Sequence, residues 1–522
     1  MRRILTIQTL ALGDLMMMTP LWAGLKESQP QDQVEVLANQ AFRRVVENNP
    51  HLDAFIPFPY QELYHSANQD EATAVPQTLE ALARYSEEMP TGYDLVINPC
   101  FNNLGGALTR LAQPREVVGA DFTREGSLVM RGDWAAYCHT FLDEPAWNTF
   151  HQADILCLAA GVKPAQPGLV FQPTDQERSY ARRLLARLGA RKGDKIVALQ
   201  VGGGREQRLW PLESFASLAR QIQERGLRVL FTGIASEKPM IQRAAAELGG
   251  KALVAAGQTD IGQLAALLEL CRALVSNDTG TIHLAAAMNL PTVSISLATV
   301  QFRNTGPYRP GSLALEADLD CAPCADASKC THRKCRQAIT PDDVMAALGY
   351  LLGFKLKKPE SSKARFHRAV MNKDGWLDWQ SLSPDPNQEQ MQALRRAWLQ
   401  VLNPGPELKA PDVPAGPPPQ DQALAQLHQL AAQGSVVLDT FAREAGGGDL
   451  ARLQLAAQEL SQLSKRIIRL GVEHPVVKPL AIYFVRRLAG LDQTDMLLQV
   501  SLQKNLFAQI QAACRGSQRG HT

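Results

Sequence analysis

Neither sign of charge dominates this sequence: 54 Lys and Arg stand against 52 Asp and Glu, a formal excess of +2 in 522 residues. So close a balance sets up no field that would draw the whole chain onto nucleic acid, and any anion must be met locally by a few placed groups. Long apolar runs are missing too; no uninterrupted stretch approaches the roughly 20 residues that span a bilayer. The start, MRRILTIQTLALGDLMMMTPLW, pairs two arginines with an apolar stretch as a secretory signal would. Asp14 interrupts it, Thr6, Gln8 and Thr9 dilute it, and no small-x-small cleavage site precedes Lys26 and Glu27, so a signal peptide is not expected. The expectation is a soluble cytoplasmic protein, with peripheral contact at the inner face of the cytoplasmic membrane as its furthest approach to lipid. In that reducing compartment the nine cysteines read as core packing or metal ligands rather than disulfides. Two signatures that would name a nucleotide enzyme outright, GxGxxG and the Walker loop, are absent.

What is present is length and alternation. Domains run to roughly 100 to 200 residues, so this chain holds several. RILTIQ (3–8) reads as a buried strand, and Gly13-Asp14 then opens an amphipathic helix through Leu15, Met18, Leu21, Trp22 and Leu25. VEVLAN (34–39) and YDLVINP (93–99) are further strands, with a helix over about 40–48 and a polar helical insertion over 61–90. After a helix at 174–189 the pattern restarts with KIVALQV (195–201), LRVLFTG (227–233), ALVAAG, ALVSND and TVSIS. Strands alternating with helices predict an α/β protein with two Rossmann-like lobes, 1–173 and 174–353. Ligands in such sheets bind beyond the carboxyl ends of the strands, so two facing lobes define a cleft. From 354 strand signals nearly vanish. Residues 354–420 read as a partly helical, proline-rich linker and 421–522 as a helical extension, in which Leu424, Leu427, Leu430 and Val437 begin a small bundle. Such a module packs or binds a protein partner; no chemistry is visible in it.

Five clusters could carry chemistry. Asp14 stands where a strand gives way to a helix and could act as general base, although an Asp there is commonly a cap or a dipole partner. Gly13 beside it lets a substrate or the opposite lobe come close. VGGGREQRLWPLESF (201–215), with Gly203, Gly204 and Arg208, could hold a diphosphate on amides and a forked guanidinium, or be a flexible turn with solvated arginines. In SNDTGTIH (276–283), Asp278 and Thr279 suit a sugar or phosphate, but a capped helix explains them too. Gly280 in the first turn is harder to explain by capping, since glycine there costs about 0.5 to 1 kcal/mol relative to Ala, while a lone His283 is commonly structural. Glu237 could bind a ribose hydroxyl or serve as a helix-start carboxylate. Last, Cys321, Cys324, Cys330 and Cys335, in the loop 320–336, have the spacing to close a structural zinc or iron site. Four reduced thiols in a cytosolic loop are the alternative.

The order RILTIQTLALGDLMMMTP, VGGGREQRLWP, GIASE, NDTGTIH, CAPC resembles glycosyltransferase family 9, the lipopolysaccharide heptosyltransferase family, over about residues 1–352. The resemblance implies a GT-B fold with acceptor at the N-terminal lobe and nucleotide-sugar at the C-terminal lobe. It implies Asp14 as catalytic base, Asp278, Thr279, Gly280 and His283 on the donor sugar and diphosphate, Glu237 on the ribose, and Arg208 on phosphate where the family often has Lys. Gly203 and Gly204 replace hydroxyl residues common in the family's loop, so amides would stand in for side chains. An inverting, metal-independent glycosyl transfer from a nucleoside-diphosphate sugar, ADP-heptose favoured, to a glycan or lipid-linked glycan acceptor is therefore expected, with no cofactor for the chemistry. A non-heptose transferase, a protein-glycosylating heptosyltransferase and a degenerate sugar-binding scaffold are the alternatives.

Overall fold

The computed structural model describes residues 1–60, 80, 83–143, 148–324, 327–354, 362–385, 388–402, 422–447, 450–474, 477–489 and scattered positions from 503 to 514. Most of the expected insertion at 61–90 and the proline-rich segment 403–420 lie outside them. The chain divides into two compact units: Met1–Ile97 with Leu111–Arg115 and Phe150–Asp385, and Asn98–Arg110 with Glu116–Thr149 and Pro386–Thr522.

The first unit opens on strands β1 (Arg3–Gln8), β2 (Gln33–Asn39), β3 (Ala54–Phe58) and β4 (Leu95–Asn98), parallel in the order β3-β2-β1-β4. Every side chain of β1 after Arg3 is buried, as expected for a strand covered on both faces. β3 carries Pro57, which donates no ladder hydrogen bond and is tolerated because β3 lies on the edge. β5 (Glu116–Phe122) and β6 (Leu128–Arg131) belong to the second unit.

The restart of the alternation is a second sheet of β7 (Ile196–Gln200), β8 (Arg228–Thr232), β9 (Leu253–Val254), β10 (Ala273–Asn277), β11 (Thr292–Ser296), β12 (Leu313–Ala317), β13 (Ala364–Met371) and β14 (Leu377–Ser381). Its parallel part runs β9-β8-β7-β10-β11-β12, the dinucleotide-fold order, which reverses between β7 and β10. Leu199, Phe231, Val275, Ile295 and Leu315 face a core closed by Phe215, Leu218, Val344 and Leu348 from the covering helices. β13 and β14 were not expected. They add an antiparallel hairpin to β12, turned by Asn372–Gly375, whose Asn372 side chain accepts from the amides of Asp374 and Trp376. The first part of the segment read as linker is therefore sheet.

In the second unit β5 and β6 pair antiparallel, and the helix Asp133–Asp143 meets the C-terminal helices Gln388–Leu402 and Lys478–Ala489. Trp398 is fully buried, edge-on to Tyr137 at 5.0 Å and to Tyr483 at 5.2 Å. The expected helical extension is present as Gln422–Gly447, Leu450–Glu473 and Lys478–Ala489, with Leu424, Leu427, Leu430 and Val437 buried. Among the described residues no helix is long and apolar enough to cross a membrane.

Candidate active site

The site forms in the first unit, at the carboxyl ends of β1, β7 and β10. From β1 the chain enters the helix Leu12–Met17, which stops at Met18 before a second helix, Thr19–Ser28. One continuous helix had been expected. Pro20 has no amide to give the carbonyl of Met16, and the Thr19 hydroxyl donates to that carbonyl at 2.8 Å instead. The short first helix points its start at the start of the helix Gly280–Ala287 from the C-terminal lobe. The two touch through reciprocal glycines. A Cβ on Gly13 would lie 2.8 Å from Cδ2 of His283, and a Cβ on Gly280 would lie 2.9 Å from Cδ2 of Leu12. Gly13 therefore admits the opposite lobe, and the glycine that capping left unexplained at 280 has its reason in the same contact.

This approach brings Asp14 to the edge of the C-terminal lobe's loops. The loop after β7 is pinned by buried Asn277, which accepts from the Trp210 amide at 2.9 Å and donates to the Val201 carbonyl at 2.7 Å. That pinning presents Arg208, whose Nη1 lies 3.4 Å from Oδ2 of Asp278. Burial pushes the Asp14 carboxyl up to about 6, with Arg208 pulling it back. Asp278 is likewise pushed to about 6 by burial, Arg208 opposing and Asp14 adding to the rise. Both carboxyls thus feel the charge of one guanidinium, which pairs with Asp278 and which burial in turn holds below the usual arginine range. A carboxylate so poised can take a proton near neutral pH, and a cation beside it can meet an anion.

Thr279 is the N-cap of the Gly280–Ala287 helix, yet its side chain makes no capping bond; its hydroxyl lies 3.4 Å from that of Ser276. The capping explanation for Thr279 is therefore not what the structure shows. Buried His283 has its imidazole pushed down to about 3 by burial, with His151 adding to the effect, and its Nδ1 has no partner among the described residues. Burial thus favours its neutral form, which counts against a charged imidazole as the proton carrier.

Glu237 caps a short turn by accepting the Ile234 amide at 3.0 Å, and Gln200 Nε2 approaches its Oε2 at 3.4 Å. Sequence reasoning gave weight to Gly203 and Gly204, but the close approach falls one residue earlier. A Cβ on Gly202 would sit 1.7 Å from Oε1 of Glu237, whereas Gly203 only meets Thr279 and Leu209 at about 3 Å and Gly204 has nothing within 4 Å. Gly202, Gln200, Asn277 and Thr299, whose hydroxyl accepts from Arg208 Nε at 2.9 Å, went unnoticed in the sequence. Of these only Gly202 carried a signal, as part of the glycine run.

In the cysteine loop, Cys335, Cys321 and Cys330 lie near enough to Cys324 to add to burial in raising its thiol. Cys335 is buried in the C-terminal lobe's core while Cys321 is exposed. Cys330 is engaged within its own turn, accepting the Arg333 amide at 3.4 Å with His332 Nδ1 at 3.9 Å. Among the described residues no group of three or more His, Cys, Asp or Glu is placed to hold a metal ion.

Residues 146–334 match the model of glycosyltransferase family 9 (heptosyltransferase). The lipopolysaccharide heptosyltransferase 2 of Salmonella typhimurium is 26% identical over 307 residues, covering 56% of this chain and 82% of the relative. The lipopolysaccharide heptosyltransferase 3 of Escherichia coli is 24% identical over 299 residues, covering 55% and 80%. A family 9 glycosyl transferase structure from Veillonella parvula superposes with a TM-score of 0.55 at 21% identity, covering 67% of this chain and 98% of that one. Its fold is the same pair of lobes, so the chain has the GT-B fold, and over residues 146–334 it is similar to glycosyltransferase family 9, in keeping with a glycosyltransferase.

Proposed function

We propose that this enzyme transfers a heptose, with inversion, from ADP-heptose to a glycan acceptor of the lipopolysaccharide-core kind. The observation that carries the chemistry is the convergence of Asp14, from the N-terminal lobe, on the Arg208–Asp278 pair of the C-terminal lobe, with both carboxyls near 6. The heptose and the acceptor class rest on the names of relatives matched over four-fifths of their length.

In this reading the acceptor hydroxyl gives its proton to Asp14 as its oxygen attacks the anomeric carbon. The new carbon–oxygen bond forms opposite the old one, which breaks with its electron pair passing to the departing diphosphate. Arg208 and the start of the Gly280–Ala287 helix meet that growing charge as preorganised donors. Asp278 orients Arg208 and faces the donor sugar with Thr279, while Glu237 takes the ribose. His283 and Gly13 set the gap between the lobes, and the amides of Gly203 and Gly204 stand where the family's hydroxyl side chains would be. The acceptor, a free or lipid-linked glycan, is met at the cytoplasmic face of the membrane.

The test is incubation of the purified protein with ADP-heptose, ADP-glucose and UDP-sugars together with a truncated lipopolysaccharide core. An acceptor mass gain of one heptose with ADP-heptose supports the proposal. Transfer from a UDP-sugar alone would replace the donor, and donor binding without transfer to any glycan would favour a sugar-binding scaffold.

A further inference from the structure

Arg208 projects from a three-residue turn, Glu206–Arg208, which by itself leaves a long side chain free to choose its direction. The direction is set from elsewhere. Arg208 Nε donates to Thr299 Oγ1 at 2.9 Å while Nη1 faces Asp278 at 3.4 Å. A guanidinium is a rigid planar fork, so fastening Nε and one Nη fixes where the remaining donor points.

The seat is itself built. Thr299 follows Ala298, a buried residue at φ +56°, in the left-handed region that side chains other than glycine seldom occupy. A conformation of that kind persists only where its surroundings over-determine it, and here the Cys324 amide donates to the Ala298 carbonyl at 2.7 Å. A second link from the same cysteine-bearing loop reaches the arginine's own turn, with Arg333 Nη1 at 2.8 Å from Glu206 Oε1. That pair is exposed and holds weakly; the backbone bond is the stronger constraint.

We propose that Thr299 is a positioning residue for the donor step. It holds Arg208 Nε so that the guanidinium presents its free edge to the donor's diphosphate, and the loop around Cys324 keeps Thr299 in place. The inference rests on Arg208 being the diphosphate group of the proposed function.

The experiment uses the full chain with Thr299→Val, Thr299→Ala and Thr299→Ser, so that a packing defect in one hydroxyl-free variant does not decide the result. The Nε–H resonance of Arg208, assigned by its loss in Arg208→Lys, is followed without ligand, and ADP and AMP are titrated by calorimetry. Both hydroxyl-free variants are expected to shift or broaden the resonance and to weaken ADP roughly tenfold, the loss expected for a hydrogen bond to a charged group. AMP, lacking the second phosphate, should change less than about twofold. Thr299→Ser should restore both. An Arg208 resonance unmoved in the two hydroxyl-free variants overturns the proposal. A moved resonance with unchanged ADP affinity upholds the seat and contradicts the reading of Arg208 as the diphosphate group.

Discussion

Asp14 and Asp278 face the same arginine from opposite lobes, and their shared environment has a consequence in pH. Each carboxyl is raised to about 6, chiefly by burial, and each is nearer its charged form above that value. A base must be deprotonated to work, so kcat/KM should be flat above about pH 7 and fall as pH drops through about 6, with apparent values belonging to the pair. His283, pushed to about 3, adds no ionisation in that window. A pH–rate profile checks this, and an acid limb centred near 4 would contradict it. At this scale the residue types were legible: a carboxylate after β1 and an Asp-Thr-Gly at a helix start are what such chemistry uses. The roles of the glycines were only half legible, because a run of glycine names a close approach but not which atom arrives. Thr299 could not be read at all, since its partner is Arg208, far away in sequence.

The break at Met18 shows how an element boundary serves the site. Without it the Leu12–Met17 helix would run on into Thr19–Ser28. The Thr19 hydroxyl is buried, donates to the Met16 carbonyl and accepts from the Val170 amide, both at 2.8 Å. Thr19→Val should strand both backbone groups and cost about 1 to 3 kcal/mol, read as a lowered urea midpoint. A midpoint within error of the unchanged protein would show that neither bond matters. The expected single helix followed from its apolar period, which Thr-Pro does not disturb; Pro20 was the overlooked signal. The β13–β14 hairpin was legible in principle, because Asp374-Gly375 separates two runs with buried Ala364, Phe366, Ala369 and Trp379. Proximity to a polar, proline-rich stretch hid it.

On the scale of the whole molecule, alternation of strand and helix was enough to give two lobes, because parallel sheets leave that pattern in any sequence. Between the lobes, Arg44 grips Glu177 through both nitrogens of its fork at 2.6 Å, against Gly262. The C-terminal helices were not legible in the same way. They fold as one unit with Asn98–Arg110 and Glu116–Thr149, so Tyr137 and Trp398 share an aromatic core across a long sequence gap. A chain ending at residue 385 should therefore not behave as an enzyme shorn of an accessory module. It should lose the cover of Tyr137 and aggregate or bind a hydrophobic dye, whereas a soluble, cooperatively melting truncation would show the helices to be dispensable. The central claim, that Asp14 draws the acceptor's proton across the gap from Arg208 and Asp278, is tested most directly by kcat of Asp14→Asn with ADP affinity measured alongside. The account predicts a fall of about 100- to 10,000-fold in kcat with ADP still bound, and near-normal transfer by that variant would contradict it.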